Sequence, residues 1–183
     1  MAPGTRRSLR SMSAPRLLAL TVLLLGAVAA GGACGGTPER RDRLPAVASA
    51  VEGRVSRVVD GDTIDVILGG APVRVRYIGV DTPETRHPTK AVQCYGHAAS
   101  DFNTRLVGGE RVRLVRDVKQ RDGYGRLLAY VYRARDGLFV NSELTRLGYA
   151  RALSIAPDTR FAERFARLAS EAKEARRGLW SAC

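Results

Sequence analysis

The sequence predicts an α+β domain of five β-strands and three α-helices. Three observations predict it. Alternating runs rich in β-branched residues flank a Gly-Gly-Ala-Pro turn, an apolar stripe repeats at helical spacing between Thr159 and Arg177, and glycines stand where helices should end. With 183 residues, 45% of them hydrophobic, the chain can bury the core of one ordinary domain and carry a leader besides.

Val51 to Val59 reads as the first strand. Ile64 to Leu68 and Val73 to Tyr77 follow as an antiparallel hairpin around Gly69-Gly70-Ala71-Pro72. A turn centred between Gly70 and Ala71 sets Thr63 against Ile78 and Asp62 opposite Gly79, two residues before Asp81. Asp62 and Asp81 then share the open end of the hairpin. Gly96 to Val107 reads as a helix with Ala99, Phe102 and Leu106 on one face, closed by Gly108-Gly109. Val112 to Val115 and Leu127 to Tyr132 complete the strands, and Asn141 to Leu147 is a short helix ended by Gly148. In the last helix, Thr159 to Arg177, Phe161, Phe165, Leu168 and Ala172 form a stripe of core-packing residues, not a cofactor site. Gly178 is expected to stop it, and Leu179-Trp180 to fold back as a hydrophobic clasp.

Residues 1–33 read as a signal peptide: Arg6, Arg7, Arg10 and Arg16 without an acid, then an apolar run from Leu17 to Ala30 ending in small residues. An uncleaved anchor is the alternative, although a spanning helix needs about 20 apolar residues. Gly31-Gly32-Ala33-Cys34 resembles a bacterial lipobox with Cys34 as the lipidated residue, except that Gly31 stands where Leu is usual. Thr5-Arg6-Arg7-Ser8-Leu9 resembles a twin-arginine signal. Residues 34–50, with Gly35, Gly36, Pro38 and Pro45 among charges, suit a flexible linker, which leaves 51–183 as the folded domain. The expected location is outside the cytoplasm, secreted or held on the outer side of a bacterial membrane.

Removing residues 1–33 takes four arginines and no acid from a net charge of +12, which leaves +8. A basic domain suits a polyanionic partner, and charge alone does not choose between nucleic acid and an anionic membrane. Cys94 and Cys183 form an even pair that export permits to bridge, with two free thiols as the alternative. With no Cys-x-x-Cys or His-Glu-x-x-His, and only His87 and His97, a zinc site or a histidine-based triad is not expected.

Acids and arginines gather in three short motifs: Asp60-Gly61-Asp62-Thr63, then Arg76 followed by Asp81-Thr82-Pro83-Glu84, then Asp122-Gly123-Tyr124-Gly125-Arg126. Singly, each is explained by turn chemistry. Together they read as metal-assisted phosphoryl chemistry.

Taken with Leu128-Ala129-Tyr130 and Gly178-Leu179-Trp180-Ser181, these ordered motifs resemble the staphylococcal nuclease, or thermonuclease, family over Val51 to Ser181. The resemblance implies a five-stranded OB-type Greek-key barrel with three α-helices, and a monomeric, calcium-dependent phosphodiesterase acting on DNA and RNA that leaves 3′-phosphate ends. It implies that Asp62, Asp81 and the carbonyl of Thr82 hold Ca²⁺, a hard ion that takes 6–8 oxygens. It makes Glu84 the residue that orients or deprotonates the attacking water, and Arg76 and Arg126 the phosphate-gripping pair. Tyr124, Leu153 and Ile155 fall in the nucleotide pocket, where Leu153 and Ile155 replace tyrosines of the family and Gly123 replaces a lysine. Tyr149 is a nearby aromatic that could compensate. The rival readings are an OB module that binds nucleic acid without cutting it, and a membrane-tethered protein whose basic surface recruits anionic partners.

Overall fold

The computed structural model describes residues 50–85 and 91–183. The expected leader, linker and lipidation residue Cys34 lie outside the described residues, as does His87. Five strands close into a barrel: β1 (Ala50–Asp60), β2 (Thr63–Leu68), β3 (Ala71–Tyr77), β5 (Arg111–Val115) and β6 (Leu127–Arg133), in the order β1-β2-β3-β6-β5. All neighbours are antiparallel except β3 and β6, whose parallel pairing sets Val75 against Leu127 and Tyr77 against Ala129. β1 serves two neighbours, pairing with β5 through its first half and with β2 through its second. This is the OB-type barrel. Two short strands missing from the sequence reading, β4 (Val80–Asp81) and β7 (Arg151–Ala152), pair beside it.

The hairpin register differs from the expected one. Thr63 pairs with Arg76, not Ile78, and the Tyr77 N–H donates to the Asp62 carbonyl, so Gly79 does not face Asp62. The cause is the turn: Gly69 and Gly70 both take positive φ, 57° and 87°, so they form the whole two-residue turn and Ala71 and Pro72 begin β3. Pro72 is tolerated because it lies in the part of β3 that β6 does not reach. The slip is two residues, which keeps each side chain on its expected face.

The helices are α1 (Gly96–Val107), α2 (Val140–Arg146), α3 (Ala162–Glu174) and a short α4 (Leu179–Ala182). α2 ends as the sequence suggests. Gly148, at φ 74°, donates to Thr145 O while Tyr149 N–H reaches back to Leu144 O. α3 ends earlier than expected, and Gly178 is not its stop. Arg176 takes the left-handed conformation (φ 48°), donates to Lys173 O, and Arg177 N–H closes on Ala172 O. Gly178 serves a close approach instead: a Cβ there would collide with the carbonyl of Gly148, which accepts a hydrogen bond from Leu179 N–H.

Barrel residues Ile64, Val66, Val75, Leu114 and Val131 are buried, Phe165 of α3 joins their cluster, and α3 packs chiefly against α2 and β7 with Leu168 and Ala172 also buried. Tyr130, Phe139, Phe161 and Phe165 meet mostly edge to face or tilted. Two fully buried asparagines brace the rim. Asn103 of α1 donates to Asp60 O and accepts from Tyr77 Oη, while Asn141 of α2 accepts from Val131 N–H and donates to Ile78 O. The ends of β1 and β3 are thus fixed through hydrogen bonds sheltered from water. Cys94 and Cys183 are joined by a disulfide, their Cα atoms 6.0 Å apart, which ties the segment before α1 to the end of α4.

Candidate active site

Arg76 is the hub. It leaves β3 at the rim with its side chain only 13% exposed, and its Nη2 lies 3.1 Å from Asp62 Oδ2 and 3.0 Å from Asp81 Oδ1. Nη1 donates to the carbonyls of Tyr77 and Val80 at 2.9 and 2.8 Å. Four donor contacts therefore hold the guanidinium in place, and the edge that carries Nε stands outside them. The guanidinium expected to grip phosphate is thus also the group that draws the two aspartates together.

Asp62 is the second residue of the two-residue β1–β2 turn. Its Oδ2 accepts from Thr82 N–H at 2.9 Å, and its Oδ1 from Thr63 Oγ1 at 3.0 Å. Thr82 Oγ1 is buried without a hydrogen-bond partner. Gly61 makes this closeness possible, since a Cβ there would run into Thr82 Oγ1 and Ala99. Asp81 is held by β4 opposite Arg151 of β7. Burial pushes its carboxyl above the usual range, Arg76 pulls it back, and Asp62 and Asp60 add to the upward push while Arg151 opposes it.

Two residues join the site to which the sequence reading assigned no role: Asp60, seen only as part of its motif, and Arg151, not singled out at all. Asp60 Oδ1 accepts from Gly61 N–H and Thr85 Oγ1, and its carboxyl shares a hydrogen bond with Glu84. Burial and that bond push Asp60 above the ordinary carboxylate range. Glu84 is placed by its backbone, which exchanges hydrogen bonds with Gln93. Asp60 was legible only as half of an Asp-Gly turn, and Arg151 only as a charge after Gly148, because neither the rim packing nor β7 has a sequence signal.

A cleft of about 340 Å³ opens beside Arg76, lined also by Arg126, Tyr124, Lys119, Leu153 and Ile155. Asp122 accepts from the backbone N–H groups of Tyr124 and Arg126 and from Arg126 Nε at 2.6 Å. Burial works against the charged form of Asp122, but Arg126 and the two backbone donors hold its carboxyl below the usual range. The Arg126 guanidinium lies 5.3 Å from the Tyr124 ring centroid, and that ring is 89% exposed. Leu153 reaches the cleft because its N–H donates to Gly79 O. Tyr149 does not compensate: it stacks on Phe102 at 4.0 Å and Tyr95 at 5.4 Å.

Among the described residues no three Asp, Glu, His or Cys side chains form a metal cage. What converges is a pair of carboxylates on one guanidinium nitrogen, with one further acid, Asp60, near enough to add to the upward push on Asp81. That donor set is all hard oxygen and carries crowded negative charge, which fits a cation that draws most of its ligands from solvent or substrate.

A closed OB-type barrel with two arginines facing one cleft and an acidic cluster at its rim fits the class of hydrolases that act on phosphodiesters. The family model described as staphylococcal nuclease homologue matches residues 74–182. The chain is 41% identical over 128 residues to a thermonuclease of Staphylococcus hyicus, across 70% of this chain and 75% of the relative. It is 40% identical over 148 residues to endonuclease YncB of Bacillus subtilis (strain 168), across 80% and 67%. An uncharacterized endonuclease of Escherichia coli O157:H7 is 37% identical over 143 residues, across 75% and 82%. The chain belongs to the staphylococcal nuclease family, and with that membership it is a nuclease, a hydrolase of ester bonds.

Proposed function

We propose that this chain is a calcium-dependent nuclease that hydrolyses phosphodiester bonds in both DNA and RNA, with departure of the 5′-oxygen and 3′-phosphate ends. One observation carries the reading: Arg76 and Arg126 line the same cleft, and the Asp62–Asp81 pair sits directly on Arg76. Asp62, Asp81 and Thr82 would hold the ion, which when bound supplies positive charge to a phosphate oxygen. Arg126, oriented by Asp122, grips the scissile phosphate, and the Nε edge of Arg76 reaches it from the other side. Both guanidinia stabilise the charge that builds on the equatorial oxygens as a water oxygen adds to phosphorus and the P–O5′ bond breaks. Glu84 orients that water and takes its proton, and the departing 5′-oxygen is protonated from solvent.

Export completes the reading. A leader at residues 1–33, with Cys34 available for a lipid anchor, would deliver the domain to an oxidising compartment, which the Cys94–Cys183 bridge suits. The test incubates the purified chain with plasmid DNA, single-stranded DNA and RNA, with Ca²⁺ or with a chelator. Cleavage of all three with Ca²⁺ and little with chelator is expected, with poor turnover in Mg²⁺, which demands tighter octahedral geometry. Glu84→Gln should remove most of the activity. Binding without cleavage would leave a nucleic-acid-binding module, and equal turnover with Mg²⁺ would overturn the calcium assignment.

A further inference from the structure

Across the outside of the barrel, residues on neighbouring strands line up in a row of which the catalytic reading uses only Arg126. Arg57 of β1 pairs with Asp65 of β2, and Asp65 pairs with Arg74 of β3. One residue before the Val75–Leu127 pair of the parallel β3–β6 ladder stand Arg74 and Arg126. Asp65, 13% exposed, accepts from Arg57 Nη2 at 2.7 Å and Arg74 Nε at 2.9 Å, while the arginine side chains stay 57% and 46% exposed. Two guanidinia on one carboxylate leave an excess positive charge. Both bind Asp65 through Nε and Nη2, so their Nη1 groups lie outside the triad.

The row is continuous with the cleft. A groove of about 450 Å³ is lined by Asp65, Pro72, Arg74, Tyr124, Gly125 and Arg126, and Tyr124 and Arg126 also line the catalytic cleft. Tyr124 stands at the junction as an exposed aromatic face on which a base can stack. From β6 to β1 the row crosses three strand spacings of about 4.8 Å each, longer than a single phosphate group.

We propose that Arg74 and Arg57 form a non-reacting subsite for the sugar–phosphate backbone of a polynucleotide whose scissile bond lies at Arg126. Asp65 holds both guanidinia on one carboxylate, Arg74 lining the groove and Arg57 beyond it, and the strand leaves the cleft over Tyr124 and follows the row. The subsite rests on the nuclease reading for its substrate and selects for long chains over single nucleotides, because only a chain reaches past Tyr124. Binding energy gathered there acts on the KM of long substrates.

The experiment compares the wild-type chain with Arg57→Gln/Arg74→Gln, with the triple variant that adds Asp65→Asn so that no carboxylate loses its partners, and with Arg57→Lys/Arg74→Lys. Arg54→Gln is a control for charge loss elsewhere on β1. Kinetics are read on 30-nucleotide single-stranded DNA and on a mononucleotide 4-nitrophenyl phosphodiester, and affinity from the fluorescence anisotropy of the labelled 30-mer against salt. The double and triple Gln variants should raise KM for the 30-mer about 5- to 10-fold and lower the slope of log affinity against log salt by roughly 1 to 2, with the lysine variant near wild type in slope. Kinetics on the short diester should be unchanged. An unchanged 30-mer KM and slope, or a change no greater than that of Arg54→Gln, overturns the subsite. If the wild type cuts neither substrate, the nuclease reading falls, and the anisotropy series alone decides whether the row binds polynucleotide.

Discussion

Arg126 and Asp122 are bonded to each other three times: the guanidinium Nε donates to Oδ2 at 2.6 Å, the Arg126 N–H to Oδ1 at 2.9 Å, and the Asp122 N–H to the Arg126 carbonyl at 3.0 Å. The carboxylate that shapes the turn therefore also aims the guanidinium into the cleft. Asp122→Asn keeps the turn acceptor but loses the charge, and the looser guanidinium should lower kcat/KM by roughly 10- to 100-fold. Steady-state kinetics on single-stranded DNA check this.

Replacing either cleft arginine by lysine should cost on the order of 10²-fold in rate, because an ammonium cannot reproduce the planar donor set. The two variants should part in stability. Arg126→Lys removes a contact at a partly exposed turn, whereas Arg76→Lys breaks a four-contact hub that is 13% exposed and should also unfold more readily, by about 1–3 kcal/mol. Thermal melts beside the activity assay separate these effects, and full activity in a folded variant would remove that arginine from its role.

Leu153 and Ile155 line the cleft, yet they offer a nucleotide neither an aromatic face nor a hydroxyl. A Cβ at Gly123 would meet open space, so a longer side chain fits there. A nucleotide with two phosphates should inhibit the wild type weakly. Leu153→Tyr/Ile155→Tyr should tighten it by about 1–3 kcal/mol for the one base, and Gly123→Lys should add a salt-sensitive gain. Inhibition titrations measure both, and no gain in the double variant would show that these positions do not control the pocket.

The Cys94–Cys183 bridge spans 89 residues, so removing it should cost about 4–5 kcal/mol by loop entropy. Denaturant unfolding of Cys94→Ser/Cys183→Ser measures the loss. Mass spectrometry of the unreduced chain checks the bridge itself.

Acid should loosen the barrel through Asp65. Its hydrogen bonds from Arg74, opposed by burial and joined by those from Arg57, hold its carboxyl below the usual range. A depressed carboxylate contributes stability that is present above its unfolded pKa, about 4, and is lost as pH falls through the folded value. Melting temperatures taken downward from pH 6 should fall more steeply below pH 4 for the wild type than for Asp65→Asn, which starts lower and loses less.

Much of this was legible in sequence because it rests on local rules. The α1 boundaries follow from glycines, the core face of α3 from its apolar period, and the meeting of Asp62 with Asp81 from a hairpin whose two-residue register slip preserved side-chain faces. What stayed hidden depends on packing between distant segments. The short β4–β7 ladder that sets Arg151 against Asp81 has two residues on each side, too few for any periodicity. The left-handed Arg176 that ends α3 breaks the glycine rule, and Gly178 was misread because its need is room beside Gly148. Asp60 is held at the rim by Asn103, which Tyr77 braces in turn, and those contacts join segments far apart in the chain.

The parallel seam between β3 and β6 joins Val75 to Leu127 across half a hundred intervening positions, and Arg126 is the residue immediately before it. Zipping that seam is the same event as delivering the second guanidinium to the first. A nascent or partly digested polypeptide that has formed the hairpin but not the seam would own its acids and one arginine, with nothing to meet a phosphate from the opposite side. Under the proposed mechanism, cutting power therefore waits on the closing of the barrel at this seam.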